Sequence, residues 1–154
     1  MFANLDPARE PDLAGRLAIL RAARTVAVLG AHDDGARPAH GVPMYLISQG
    51  YRVYPVNGMK AGQAILGDGA PAAVARLTDL PGPVDVVDVF RNSEAVAGHV
   101  DEILAMAPRP PVVWLQLGVR NDAAAATLRA AGIVVVQDAC MKADHRDAGL
   151  APHP

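Results

Sequence analysis

Apolar residues gather into five short runs along this chain: Thr25–Leu29, Arg52–Val56, Val84–Phe90, Val112–Leu117 and Ile133–Gln137. Valine is prominent in them and the runs are mostly continuous rather than alternating. Strands covered on both faces read this way, and parallel sheets are built from such strands. The intervening stretches have a helical period. Asp12–Ala23 sets Leu13, Leu17, Leu20 and Ala23 close to one face. Val42–Ile47 follows Pro38, a residue suited to the first turn of a helix. The loop Gly67–Pro71 leads to an expected short helix around Ala72–Leu77. Asn92 or Ser93 caps a longer helix, whose positions Val96, Val100, Ile103, Leu104 and Ala107 repeat with the helical period until Pro108, Pro110 and Pro111 stop it. Asn121-Asp122 opens an alanine-rich helix that ends at Gly132, and the tail Ala148–Pro154 is expected to fray.

Strand and helix therefore alternate. With right-handed crossovers this predicts an α/β protein, a Rossmann-like doubly wound sheet of five parallel strands with helices on both faces. The chain has 154 residues, which predicts a single domain over 1–154 with its core at about 12–147. The stretch Asn57–Pro71 is the one long irregular connection.

Composition narrows the functional classes. Fourteen basic against sixteen acidic residues give a net charge of −2, which argues against a broad nucleic-acid surface. Aromatic residues are 4% of the chain, too few for a base-stacking platform. Cys140 is the single cysteine, so no intrachain disulfide is possible. The N-terminus carries no secretory pattern, and no apolar run has the length of a membrane span. A soluble, cytoplasmic protein is expected. No cysteine and histidine spacing matches a structural zinc site, and no metal is expected.

In an open parallel sheet, ligands bind beyond the carboxyl ends of the strands, where strand order reverses. Arg37, Lys60, Arg91, Arg120 and Lys142 all follow strand ends, which points to an anionic, phosphorylated ligand. The loop after the first strand begins Gly30-Ala31-His32-Asp33. It is neither the dinucleotide fingerprint, which needs glycine at 32, nor a P-loop, because Ala36 and Arg37 replace the Lys-Ser/Thr pair. An acidic residue to hold a nicotinamide dinucleotide's ribose is also missing, since the second strand ends Pro55-Val56-Asn57.

Several segments together resemble the stand-alone bacterial CoA-binding domain proteins, which are similar to the N-terminal domain of the succinyl-CoA synthetase alpha subunit. They are Val26–Ala31, Arg37–His40, Gly50–Asn57, Val84–Arg91, Trp114–Val119 and Cys140–Lys142, in the expected order. Gly58 stands where family members often have proline. The resemblance implies a Rossmann-like domain that holds coenzyme A along its strand ends, with a small-molecule partner and no nucleic acid or membrane. The residues placed to do so are Gly30 and Ala31 as N–H donors, with His32 in the same loop, and Arg37, Pro38 and His40 at the next helix for phosphate oxygens. Lys60 or Arg91 would meet the ribose phosphate, Asn57 and Phe90 flank adenine or pantetheine, and Gln116 and Gly118 close the crevice.

The first expectation is binding of coenzyme A or an acyl-CoA without catalysis, because the resemblance implies the binding half of the succinyl-CoA synthetase relatives without the further domain that carries their catalytic histidine. The alternatives are an enzyme acting on CoA thioesters or thiols through Cys140, beside Lys142 and His145, and an NAD(P)-binding regulatory module.

Overall fold

Five strands form one sheet in the order β2-β1-β3-β4-β5: β1 (Thr25–Leu29), β2 (Arg52–Val56), β3 (Val86–Val89), β4 (Val112–Leu115) and β5 (Val134–Val136). All neighbouring pairs are parallel. This computed structural model describes residue 2 and residues 4–154. The helices are α1 (Leu13–Ala22), α2 (Pro38–Ser48), α3 (Val100–Ala105), α4 (Asp122–Ala130) and α5 (Met141–Asp147).

The continuous valine runs have a simple cause: both faces of the sheet are covered. One face carries Val26, Val28, Val86, Trp114 and Val136 into a core with Ile19, Leu20, Leu46 and Met141 of α1, α2 and α5. The other packs Ala27, Leu29, Val87, Leu115 and Val135 against Ile103 and Leu128 of α3 and α4. Burying each of the valine, leucine, isoleucine and methionine side chains contributes roughly 1.5–3 kcal/mol. The two-faced α/β fold is as the alternation predicts. β3, β4 and β5 are each shorter than the apolar runs that announce them.

Four local readings differ. The helix expected around Ala72–Leu77 is absent. Val74 instead bridges Val56, donating to Pro55 O at 3.1 Å and accepting from Asn57 N at 2.9 Å. β2 is an edge strand, and its outward peptide groups need partners more than this segment needs to coil. A 3₁₀ turn follows at Leu77–Asp79. After Asn92, whose Oδ1 accepts from Ala95 N, the chain runs as a 3₁₀ helix over Glu94–His99 before α3 begins. Leu13 lies at the solvent end of α1 and is 51% exposed, so the buried stripe is Ile19, Leu20 and the following Ala23.

The C-terminal tail does not fray. His153 N donates to Gln49 O at 2.8 Å, and the His153 ring meets the Tyr51 ring edge-on at 4.5 Å. Gly50 makes this possible: at φ +87° a Cβ there would lie 2.4 Å from His153 O. Tyr51 also touches His145, whose Nδ1 bonds the Tyr45 hydroxyl at 2.9 Å. Burial holds both histidines below their ordinary range, with His153's charge adding at His145 and Arg24's at His153. The folded state therefore binds protons less readily than the unfolded chain. Their contribution to stability is full above about pH 6.5 and is lost as pH falls through the folded values. Thermal melts should show the Tm of His153→Gln gaining on that of the wild type at about pH 5 relative to about pH 7.5, the difference between the two proteins isolating the histidine from other titrating groups. A His153→Gln protein with the unaltered pH profile would show that the clasp does not titrate.

Candidate functional site

Strand order reverses between β1 and β3, because the chain leaves β1 for β2 on one side and returns to β3 on the other. The carboxyl ends of these strands are therefore the ligand-binding position of this topology.

Gly30 closes that point. It takes φ +86°, and a Cβ would lie 2.4 Å from Phe90 O. Its N–H donates to Val56 O at 2.9 Å, while Phe90 N donates to Leu29 O at 2.8 Å. The glycine thus lets three strands meet, and its N–H is spent on the sheet rather than left for a phosphate, contrary to the role assigned from sequence. Ala31 is fully buried, and its N–H has no partner among the described residues. Its carbonyl accepts from Asn57 Nδ2 at 2.8 Å. Asn57 Oδ1 accepts from the N–H groups of Met59 and Lys60. Asn57 is therefore a clasp between the β1 and β2 loops, and its amide is occupied within the protein rather than turned to a ligand ring.

Pro38 occupies the first turn of α2, as its fixed φ suits. A second proline, Pro43, lies inside α2 and has no N–H to give Ala39 O. That carbonyl instead accepts from His32 N at 3.1 Å, tying the β1 loop to the helix. His40 Nδ1 bonds His32 O at 2.8 Å, and Asp34 N donates to His32 Nδ1 at 3.0 Å. Both histidines thus shape the loop. The Ala39 N–H, aligned with the positive end of the helix, has no partner among the described residues.

Of the five strand-end cations, three stand around this loop. Lys60 Nζ lies 3.3 Å from Asp33 Oδ2, and Arg37 lies 3.6 Å from Asp34. The Lys60 ammonium holds the Asp33 carboxyl below its usual range. Arg91 is exposed, forms no ion pair among the described residues, and its Cδ lies 3.4 Å from the Cβ position at Gly30. The other two turn away. Arg120 binds Glu10 and Asp122, and Lys142 Nζ sits 5.7 Å above the Tyr45 ring. Gly118 gives its N–H to Asp138 at 2.7 Å, on the β4–β5 side of the edge. Phe90 is half-buried against the α1–α2–α5 core.

Cys140 precedes α5, but its neighbours in sequence are engaged elsewhere: Lys142 with Tyr45, and the buried His145 with the Tyr45 hydroxyl. Trp114 is fully buried and donates to Ala139 O. Two clefts, of about 260 and 440 Å³, lie at the amino ends of the strands, around Pro81–Pro83. They are therefore at the far edge of the sheet from the loops just described.

Asp88, which with Asp85 makes no carboxylate pair because three residues apart on a strand they point to opposite faces, received no site role from the sequence. It is 0% exposed in the middle of the sheet, and Oδ1 accepts from Gln116 Nε2 at 2.8 Å. Oδ2 is buried without a partner among the described residues. Burial, with no cation beside it, pushes the carboxyl up to about 8. The signal was an acidic residue inside an otherwise apolar run, two positions before the loop.

Comparison with known proteins agrees with this architecture. Residues 24–146 match the CoA binding domain. The chain is 34% identical to the uncharacterized protein YneT of Bacillus subtilis, over 89% of this chain and 96% of that protein. Among solved structures, a Thermus thermophilus protein is 47% identical, covers 89% of this chain and 98% of its own, and superposes with a TM-score of 0.81. A hypothetical protein of Pyrococcus horikoshii is 26% identical over 90% of this chain and 95% of its own, at a TM-score of 0.78. With a 2-1-3-4-5 parallel sheet, a glycine-closed switch point and a match over most of its length, the chain belongs to the CoA binding domain family.

Proposed function

We propose that the protein binds coenzyme A or an acyl-CoA across the carboxyl ends of β1, β2 and β3, and that it binds without transforming it. The observation that carries this reading is the convergence of Arg37, Lys60 and Arg91 with the unspent N–H group of Ala39, at the strand-order reversal. A pyrophosphate and a ribose phosphate need such a set of cations and backbone donors. The carboxylates of Asp33 and Asp34 hold two of those cations, so ligand phosphates compete with them for Lys60 and Arg37. Phe90 offers an aromatic wall. Among the described residues no helix is long and apolar enough to cross a membrane, and a small-molecule ligand is the partner the family supports.

Titration calorimetry with coenzyme A, 3′-dephospho-CoA and NAD tests the reading. Coenzyme A should bind best, and loss of the 3′-phosphate should weaken binding by about tenfold, the worth of one charge-assisted contact. Equal binding of all three, or none, would overturn it. Arg91→Ala should weaken coenzyme A by about tenfold while changing unfolding free energy by no more than about 0.5 kcal/mol, because the side chain is exposed and forms no ion pair among the described residues. An Arg91→Ala protein with unaltered affinity would remove Arg91 from the site.

A further inference from the structure

Asp88 and Gln116 form a buried pair one row beneath the strand ends. β3 and β4 pair Asp88 with Trp114 and Val89 with Leu115, and Gln116 N continues the ladder to Val89 O at 3.3 Å. Gln116 therefore stands two residues closer to the carboxyl edge than Asp88. It shares the face of Asp88 and Trp114, because side chains alternate along a strand. Gln116 is 3% exposed and Asp88 0%.

A carboxamide has a donor end and an acceptor end, and fixing one fixes the other. We propose that Asp88 is a positioning residue. By accepting from Gln116 Nε2 it turns Oε1 into the acceptor that Gln116 offers to the amide N–H groups of a pantetheine arm. This rests on the coenzyme A reading above. Asp88 is otherwise hard to account for. Its second oxygen is buried and unpartnered, so the fold carries a polar group it does not fully satisfy. A leucine on this valine-lined face would fill similar space without that cost. Such a group placed on β3, at the strand-order reversal, fits a role in binding better than a role in packing.

The test compares coenzyme A affinity, by calorimetry, in the wild type, Asp88→Asn, Asp88→Leu, Gln116→Leu and the double variant carrying both leucines. Thermal unfolding of each reports that it is folded. Asp88→Leu and Gln116→Leu should each weaken binding by about tenfold, the worth of one well-placed hydrogen bond. Asp88→Asn keeps an acceptor for Gln116 and should stay within about threefold of wild type. The double variant should bind no worse than Gln116→Leu alone, because the two residues act as one unit.

A folded Asp88→Leu protein that binds like wild type would overturn the proposal. So would an Asp88→Asn protein as weak as Asp88→Leu, or additive losses in the double variant. If Asp88→Leu does not fold, wild-type binding by Gln116→Leu overturns it equally. Absence of coenzyme A binding in the wild type itself defeats the functional reading and this proposal with it. Wild-type binding with indifferent variants defeats this proposal alone.

Discussion

Asp88→Asn is expected to raise the free energy of unfolding by on the order of 3–5 kcal/mol at about pH 8, and by almost nothing near pH 4. The cause is burial. In the unfolded chain the carboxyl ionises near its ordinary 3.8, whereas in the folded protein it is pushed up to about 8. Between those values the unfolded state releases a proton that the folded state must keep. Stability therefore falls as pH rises through the window and levels off above it. Asparagine has nothing to ionise, so the slope should vanish while the bond to Gln116 remains available. His145 and His153 act in the opposite sense at the acid end, so the difference between variant and wild type is the quantity to read. Urea unfolding at a series of pH values gives it directly. Parallel curves for the two proteins would mean that Asp88 does not carry its proton through neutral pH.

Gly30→Ala is expected to cost at least about 3 kcal/mol, more than an ordinary glycine substitution. Two effects add. Alanine is disfavoured at φ +86°, and its Cβ would stand 2.4 Å from Phe90 O, a backbone atom that moves only if β1 and β3 part. Their parting would break the bond from Phe90 N to Leu29 O. Coenzyme A binding should fall with it. Gly35→Ala in the same loop is the control: it has open space around it and an ordinary φ, and should stay within about 0.5 kcal/mol of wild type. Chemical denaturation that placed the two variants together would show that the close approach is not needed.

The fold was legible because its strands are buried on both faces, which leaves an unbroken valine signal in the sequence. Asn121-Asp122 was equally legible as the start of a helix, and the Asn121 side chain accepts from Ala124 N. What a linear reading missed depends on partners far along the chain. Val74 became a bridge because β2 lacked a neighbour on its outer side. The tail stays in place because Gly50 and Tyr51 wait for His153, a hundred residues on. At the site, the loops after β1, β2 and β3 were correctly brought to one edge, and Arg37, Lys60 and Arg91 stand there. Counting cations by position could not show that Arg120 is drawn off by Glu10, nor that Asn57 and the N–H of Gly30 are spent inside the protein. Pro43 frees a carbonyl that only three-dimensional proximity delivers to His32.

The bridge at Val74 has a consequence for self-association. An open sheet exposes a template at each edge on which another chain's strand can grow. At the β2 edge that template is taken by the protein's own Val74, and Pro55 contributes no N–H there. At the other edge β5 is three residues long, and Arg129 reaches over to Val135 O at 3.4 Å. A chain in which half the residues are hydrophobic thus resists fibre-like stacking through its backbone, without relying on a heavily charged surface.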